Sequence, residues 1–105
     1  MGEKVPVEDL QKRASTFFER VTSVLVERNE VRGDSYLEMS LSDCVGILRD
    51  KVGRIKTGGR RDLSDESVRR DLLDSITDIA GYAALLSIWF EELFAGEIPV
   101  ELARE

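Results

Sequence analysis

From Ser64 to Phe94 no proline interrupts the chain, and apolar residues recur at steps of three and four. Val68, Leu72, Ile76, Ile79, Ala83, Leu86 and Phe90 fall on one stripe of a helix. The stretch predicts a single helix of roughly 30 residues, about 45 Å long. Ser64 is placed to cap its start, with Asp65 and Glu66 in the first turn, where acids meet the positive end of the helix. Ala95-Gly96 and Pro99 form its stop signal.

Two further helices precede it. Between Val7 and Glu30 the positions Leu10, Ala14, Phe17, Val21, Val24 and Leu25 repeat the same spacing, and Gly33, Asp34 and Ser35 mark a turn after it. "SLSD" at Ser40 is close to a capping box, with Met39 as a staple before it. Leu41, Val45, Leu48, Val52 and Ile55 predict a buried stripe on the helix that follows, and "KTGGRRD" reads as a loop. No segment alternates apolar and polar residues over a strand's length. The fold class predicted for residues 1–105 is a single all-α domain of three main helices, the third long.

Three helices leave an imbalance. From Ile79 to Phe94 the third is apolar nearly all round, apart from Ser87 and the Glu91-Glu92 pair. A helix of that kind is buried on every side, and two partners in the same chain are too few. The sequence therefore predicts packing within an oligomeric helical bundle, a homodimer or homotetramer.

Composition narrows the chemistry. The formal net charge of −6 opposes wholesale nucleic-acid binding, which needs a basic surface. Cys44 is the single cysteine, so no disulfide forms within the chain and a cytoplasmic location is the default. There is no histidine, which removes His-based zinc sites and Ser–His–Asp chemistry together. Metal chemistry must then rest on carboxylates, which select hard cations such as Mg²⁺ or Mn²⁺. The opening "MGEKVPVEDLQKR" has no signal-peptide character, and no charge-free apolar run reaches membrane-spanning length.

Asp71, Asp74 and Asp78 lie on one arc of the third helix, and the same line continues through Tyr82 and Leu85 to Trp89. Acids spaced this closely repel one another, so a positive group must compensate. Two sources fit. One is a divalent cation. The other is the middle helix, where Lys51 falls inside the apolar arc and Arg54 at its edge; a lysine so placed needs an acidic partner or a route to water. Around them Arg49, Lys56, Arg60, Arg61, Arg69 and Arg70 form a local basic excess able to receive phosphate groups. "TGG" is not a phosphate loop, since the Gly-Lys-Ser/Thr ending is missing.

Taken together, "ERNEVRGDSYLEMSLSDCVGILRDKVGRI" and "ESVRRDLLDSITDIAGYAALL" resemble the MazG-like superfamily of all-α nucleoside triphosphate pyrophosphohydrolases. The likeness is to its small, often phage-encoded members associated with nucleotide metabolism. The residues that carry it are Gly33-Asp34-Ser35, Lys51 with Arg54-Ile55, and Glu66-Ser67 through Asp74, Asp78, Tyr82 and Ala83. The resemblance implies cleavage of a nucleoside triphosphate between its α and β phosphates, with Mg²⁺ or Mn²⁺ bound by helix-borne acids. It implies Asp74 and Asp78 as metal ligands assisted by Asp71 or Glu38, Lys51 and Arg54 as phosphate contacts, and Tyr82 as a wall of the nucleotide pocket. Two other readings compete: a nucleotide-sensing relative without turnover, and a non-catalytic oligomerisation or adaptor protein whose acids and bases form a salt-bridge seam. A DNA-binding regulator is disfavoured by the acidic balance.

Overall fold

The computed structural model describes residues 4–33 and 35–105, and of Arg32 only the backbone. Asp34, part of the turn expected after the first helix, and residues 1–3 lie outside it. The described residues form four helices and no strand: α1 (Val7–Arg32), α2 (Leu41–Gly58), α3 (Glu66–Phe94) and the short α4 (Glu101–Arg104), with a 3-10 turn at Ser35–Glu38 between the first two.

Cap chemistry explains three of the boundaries. Gly33 ends α1 at φ 66°, a left-handed conformation that glycine adopts without strain, and its N–H donates to Asn29 O at 2.8 Å. Ser40 caps α2, accepting the Asp43 N–H at 3.1 Å. The cap of α3 is Asp65, not Ser64 as the sequence suggested. Asp65 accepts the Ser67 N–H at 2.9 Å and its hydroxyl at 2.8 Å, while Ser64 turns back to donate both N–H and hydroxyl to Asp62. An ionised carboxylate is the stronger acceptor, and it wins the cap. The Ser64 hydroxyl and N–H hold the Asp62 carboxyl below its ordinary value, and those of Ser67 do the same for Asp65.

Part of the segment read as loop is helical, and a short helix not expected from the sequence follows the third. α2 continues through Lys56 and Thr57 to Gly58. Gly58 is buried against α3: a Cβ there would stand 2.7 Å from Leu72 Cδ2. Close packing on a neighbouring helix outweighs the poor helix propensity of glycine. After Pro99, α4 makes a single turn whose Leu102 and Ala103 are half-buried, and Ile98 before it is buried. Four residues are too few to show a periodicity.

α3 is the axis of the molecule. Arg28 meets Asp78 and Leu25 lies over Gly81, so α1 runs antiparallel to α3; Lys51 meets Asp78 and Gly58 lies by Leu72, so α2 does too. The 3-10 turn carries the chain back along α3 between them. Its following residue Met39 accepts the Trp89 indole N–H at 3.1 Å, and Trp89 is fully buried.

These positions reorder the expected core. Leu10 is exposed, and on α2 Val45 and Val52 are exposed while Cys44, Ile47 and Lys51 are half-buried. The inward face of α2 is therefore rotated toward the lysine, because Asp78 stands opposite it. On α3, Ile76 and Ala83 point outward, while Thr77 and Gly81 are buried. The line from Tyr82 to Trp89 faces inward, covered by the 3-10 turn within this same chain. By length and composition α3 is apolar enough to cross a membrane, yet only 17% of its most apolar window is buried within the chain.

Candidate functional site

Asp78 joins all three long helices. Its Oδ1 lies 2.9 Å from Arg28 Nη2 on α1, and its Oδ2 accepts from Lys51 Nζ on α2 at 3.2 Å. The Asp78 and Lys51 side chains are only 16% and 19% exposed, against 46% for Arg28. Burial alone would raise the Asp78 carboxyl. The hydrogen bonds from Lys51 and Arg28, with the charges behind them, outweigh it and hold the carboxyl below its ordinary value. A lysine inside an apolar arc has thus found the acidic partner its position demanded.

The other acids are placed differently. Asp71 is exposed and reaches Arg61 at 3.9 Å; Asp74 is exposed and makes no ion pair among the described residues. Arg54 pairs along its own helix with Asp50 at 3.4 Å and not with α3.

An open groove of about 890 Å³ runs between α2 and α3 beside these residues. One wall carries Arg49, Asp50, Arg54, Thr57 and Arg61; the other carries Asp71, Asp74, Ser75 and Asp78. Gly46 and Gly53 line the α2 side, and beyond their chain neighbours and their own helix backbone no atom lies within 4 Å of where their Cβ atoms would stand. The groove is therefore wide, floored by backbone, and charged with both signs.

A second, smaller cavity of about 220 Å³ lies between α1, the 3-10 turn and α3. Val21, Val24, Leu25, Met39, Ile47 and Leu85 give it apolar walls, and Arg28, Asn29, Tyr36, Thr77 and Tyr82 are among its polar groups. Asp78 lines the groove and its partner Arg28 lines the cavity, so this ion pair forms the wall between them.

Of the residues singled out in the sequence, the structure gathers Asp71, Asp74, Asp78 and Arg54 at the groove. Lys51 is engaged by Asp78, and Tyr82 belongs to the neighbouring cavity. Glu38 ends the 3-10 turn, is exposed, and lines neither space. Arg28 was missed. The signal was present: on the α1 wheel Arg28 falls in line with Leu10 and Val21, a cation inside an apolar stripe like Lys51.

The donor set fits one kind of metal site. Among the described residues no three Asp, Glu or Cys side chains are grouped to hold an ion, so an all-protein cage does not fit. Mg²⁺ is usually held by one or two carboxylates together with substrate phosphates and water. Asp74 and Asp71, both open on the groove, fit that requirement; Asp78 is already committed to two cations.

Comparison with known protein families, with curated proteins and with solved structures finds no match for the chain.

Proposed function

We propose that the groove between α2 and α3 receives the phosphates of a nucleoside triphosphate, and that the chain is a pyrophosphohydrolase-like protein working as a homo-oligomer. One observation carries this reading. Two open carboxylates, Asp71 and Asp74, face Arg49 and Arg54 across a space large enough for a triphosphate. Arginine's planar fork matches phosphate oxygens in pairs. A bound Mg²⁺ or Mn²⁺ would supply charge neutralisation and an activated water, held by Asp74 with Asp71. Asp78 acts at one remove, fixing α1 and α2 on α3 so that the two walls keep their spacing. The resemblance to the MazG-like superfamily supports the parts given to Asp74, Asp71 and Arg54; it also implied Asp78 as a ligand and Lys51 as a phosphate contact, and these two are paired with each other instead.

Thermal stability across a panel of nucleoside triphosphates, with and without Mg²⁺ or Mn²⁺, tests the reading. Ligand at a hundredfold excess over Kd adds about 2.7 kcal/mol to stability. The expected result is a rise in Tm that requires both metal and nucleotide and is lost in Asp74→Asn. Absence of any shift across the panel, with the wild-type protein folded, counts against it.

A second reading is favoured by the Arg28–Asp78–Lys51 cluster itself. It ties three helices together and engages the best-buried acid of the stripe, as a purely structural seam would. On this reading the chain is a non-catalytic oligomerisation or adaptor protein.

A further inference from the structure

The outward face of α3 carries a repeat that the groove does not use and that the core reaches only at its half-buried Ala80 and Phe90, the latter edge-on to Trp89. Leu73, Ile76, Ala80, Ala83, Ser87, Phe90 and Phe94 are spaced 3, 4, 3, 4, 3, 4, which is the seven-residue repeat of a coiled-coil seam. Leu73 is 55% exposed and Phe94 81%; Ile76, Ala83 and Ser87 are exposed as well. The seam lies on the opposite side of α3 from Asp71, Asp74 and Asp78, so covering it leaves the groove open.

We infer that a second copy of this chain covers this face, α3 against α3 in antiparallel orientation. This deepens the oligomer part of the function proposed above and needs nothing from its nucleotide part. The size pattern is large at both ends and small in the middle. Set antiparallel, with the two seams in register, Ala80 faces the partner's Ala83 and the two backbones approach closely at the centre. Leu73 then meets the partner's Phe90, and Ile76 the partner's Ser87.

Charge selects both the orientation and the occupant. The seam begins with Arg69 and Arg70 and ends with Glu91. In the antiparallel register Arg70 lies beside the partner's Glu91, twice by symmetry, and Arg69 lies over the partner's Phe94 ring. A parallel pairing would put arginine on arginine and glutamate on glutamate. A surface basic at one end and acidic at the other is complementary to its own inverted copy, as a two-fold interface requires. Arg70 is otherwise held only by Glu66 at 3.9 Å, in an exposed pair, and Glu91 has no ion pair among the described residues. The helix dipoles also oppose favourably in this orientation.

The experiment uses the full chain in a Cys44→Ser background, with light scattering for mass and disulfide trapping for register. The wild type should be dimeric, or a tetramer built from such dimers. Mixed Ala80→Cys and Ala83→Cys proteins should cross-link to each other faster than either does to itself. Arg70→Glu and Glu91→Arg should each raise the dissociation constant about ten-fold, from the loss of two exposed pairs and the repulsion replacing them, and the double exchange should restore it. A protein monomeric at every concentration overturns the oligomer reading as a whole. A dimer that neither cross-links across these positions nor responds to the charge exchange overturns this face alone. Sedimentation of a monomer with lipid vesicles, abolished by Ala83→Glu, overturns it in favour of a membrane.

Discussion

Replacing Asp78 with asparagine removes one charge from the point where α1, α2 and α3 meet, while keeping the side chain's shape. The Arg28 pair is worth about 0.5 kcal/mol, because that side chain is 46% exposed and turns to water when released. The Lys51 ammonium is 19% exposed and has less freedom to escape. A hydrogen bond to a charged group contributes about 1.5–3 kcal/mol, part of which is offset by the cost of burying the carboxylate. The expected loss is about 2 kcal/mol at neutral pH. With an unfolding entropy of ~2.1 cal/mol/K per residue over 105 residues, the melting temperature falls by roughly 9 °C. The pH dependence gives a sharper check. The native carboxyl sits below its ordinary value, so its contribution is complete above the unfolded-state value of about 3.9 and is lost as pH falls through the lower native one. Wild type and Asp78→Asn should therefore differ most at neutral pH and converge once both states are protonated. Urea titrations from about pH 7 down to about pH 2 read this directly. A difference under ~0.5 kcal/mol at neutral pH, the range of an ordinary surface change, or a larger one that persists at the acid limit, refutes the account of Asp78 as a pivot.

Trp89→Phe deletes the indole N–H that Met39 O accepts and leaves a small void, so stability should drop by about 1–3 kcal/mol in denaturant titrations followed by circular dichroism. The variant also tests whether the 3-10 turn is held by that bond, since amide exchange in residues 35–40 should accelerate with it. Ser40→Ala removes the side-chain acceptor of the Asp43 N–H and should cost about 1 kcal/mol, with little effect on any nucleotide-dependent shift.

The helices were legible because their apolar spacing is regular, and the α2 start was legible because its cap chemistry is local. What could not be read was which part of each apolar arc would face the core. On α2 the periodicity favoured Val45 and Val52, and both are exposed. The deciding interaction was between Lys51 and Asp78, 27 residues apart, and periodicity within one helix carries no information about its partner. The same limit hid the burial of Trp89. Its cover is the 3-10 turn, a short irregular segment with no repeat to detect, and so the apolar surface read as needing an outside partner was placed on too wide an arc. The exposed part is narrower and lies on the other side. At the candidate site, the acids and Lys51 were visible as residues in the wrong company on their wheels. Arg28 was equally visible by that criterion, but its meaning depended on where α1 would pack.

One line of residues on α3, from Asp71 through Asp78 to Trp89, passes from charged to apolar because its neighbours change along its length. At Trp89 the 3-10 turn closes over it; at Tyr82 and Leu85 the small cavity borders it; at Asp78 both flanking helices supply a cation. α1 ends about one turn beyond Arg28, so Asp74 and Asp71 have only α2 facing them and stay open to the groove. The division of labour follows from this geometry. An acid already bonded to two cations cannot take a third without releasing one, whereas its neighbours four and seven residues earlier can. If nucleotide binds here, Asp74→Asn should remove binding with little loss of stability, and Asp78→Asn should lower stability while weakening binding only through loosened walls. Equal effects of the two substitutions on both properties would mean that the stripe acts as one unit, and that the separation of pivot from ligand is wrong.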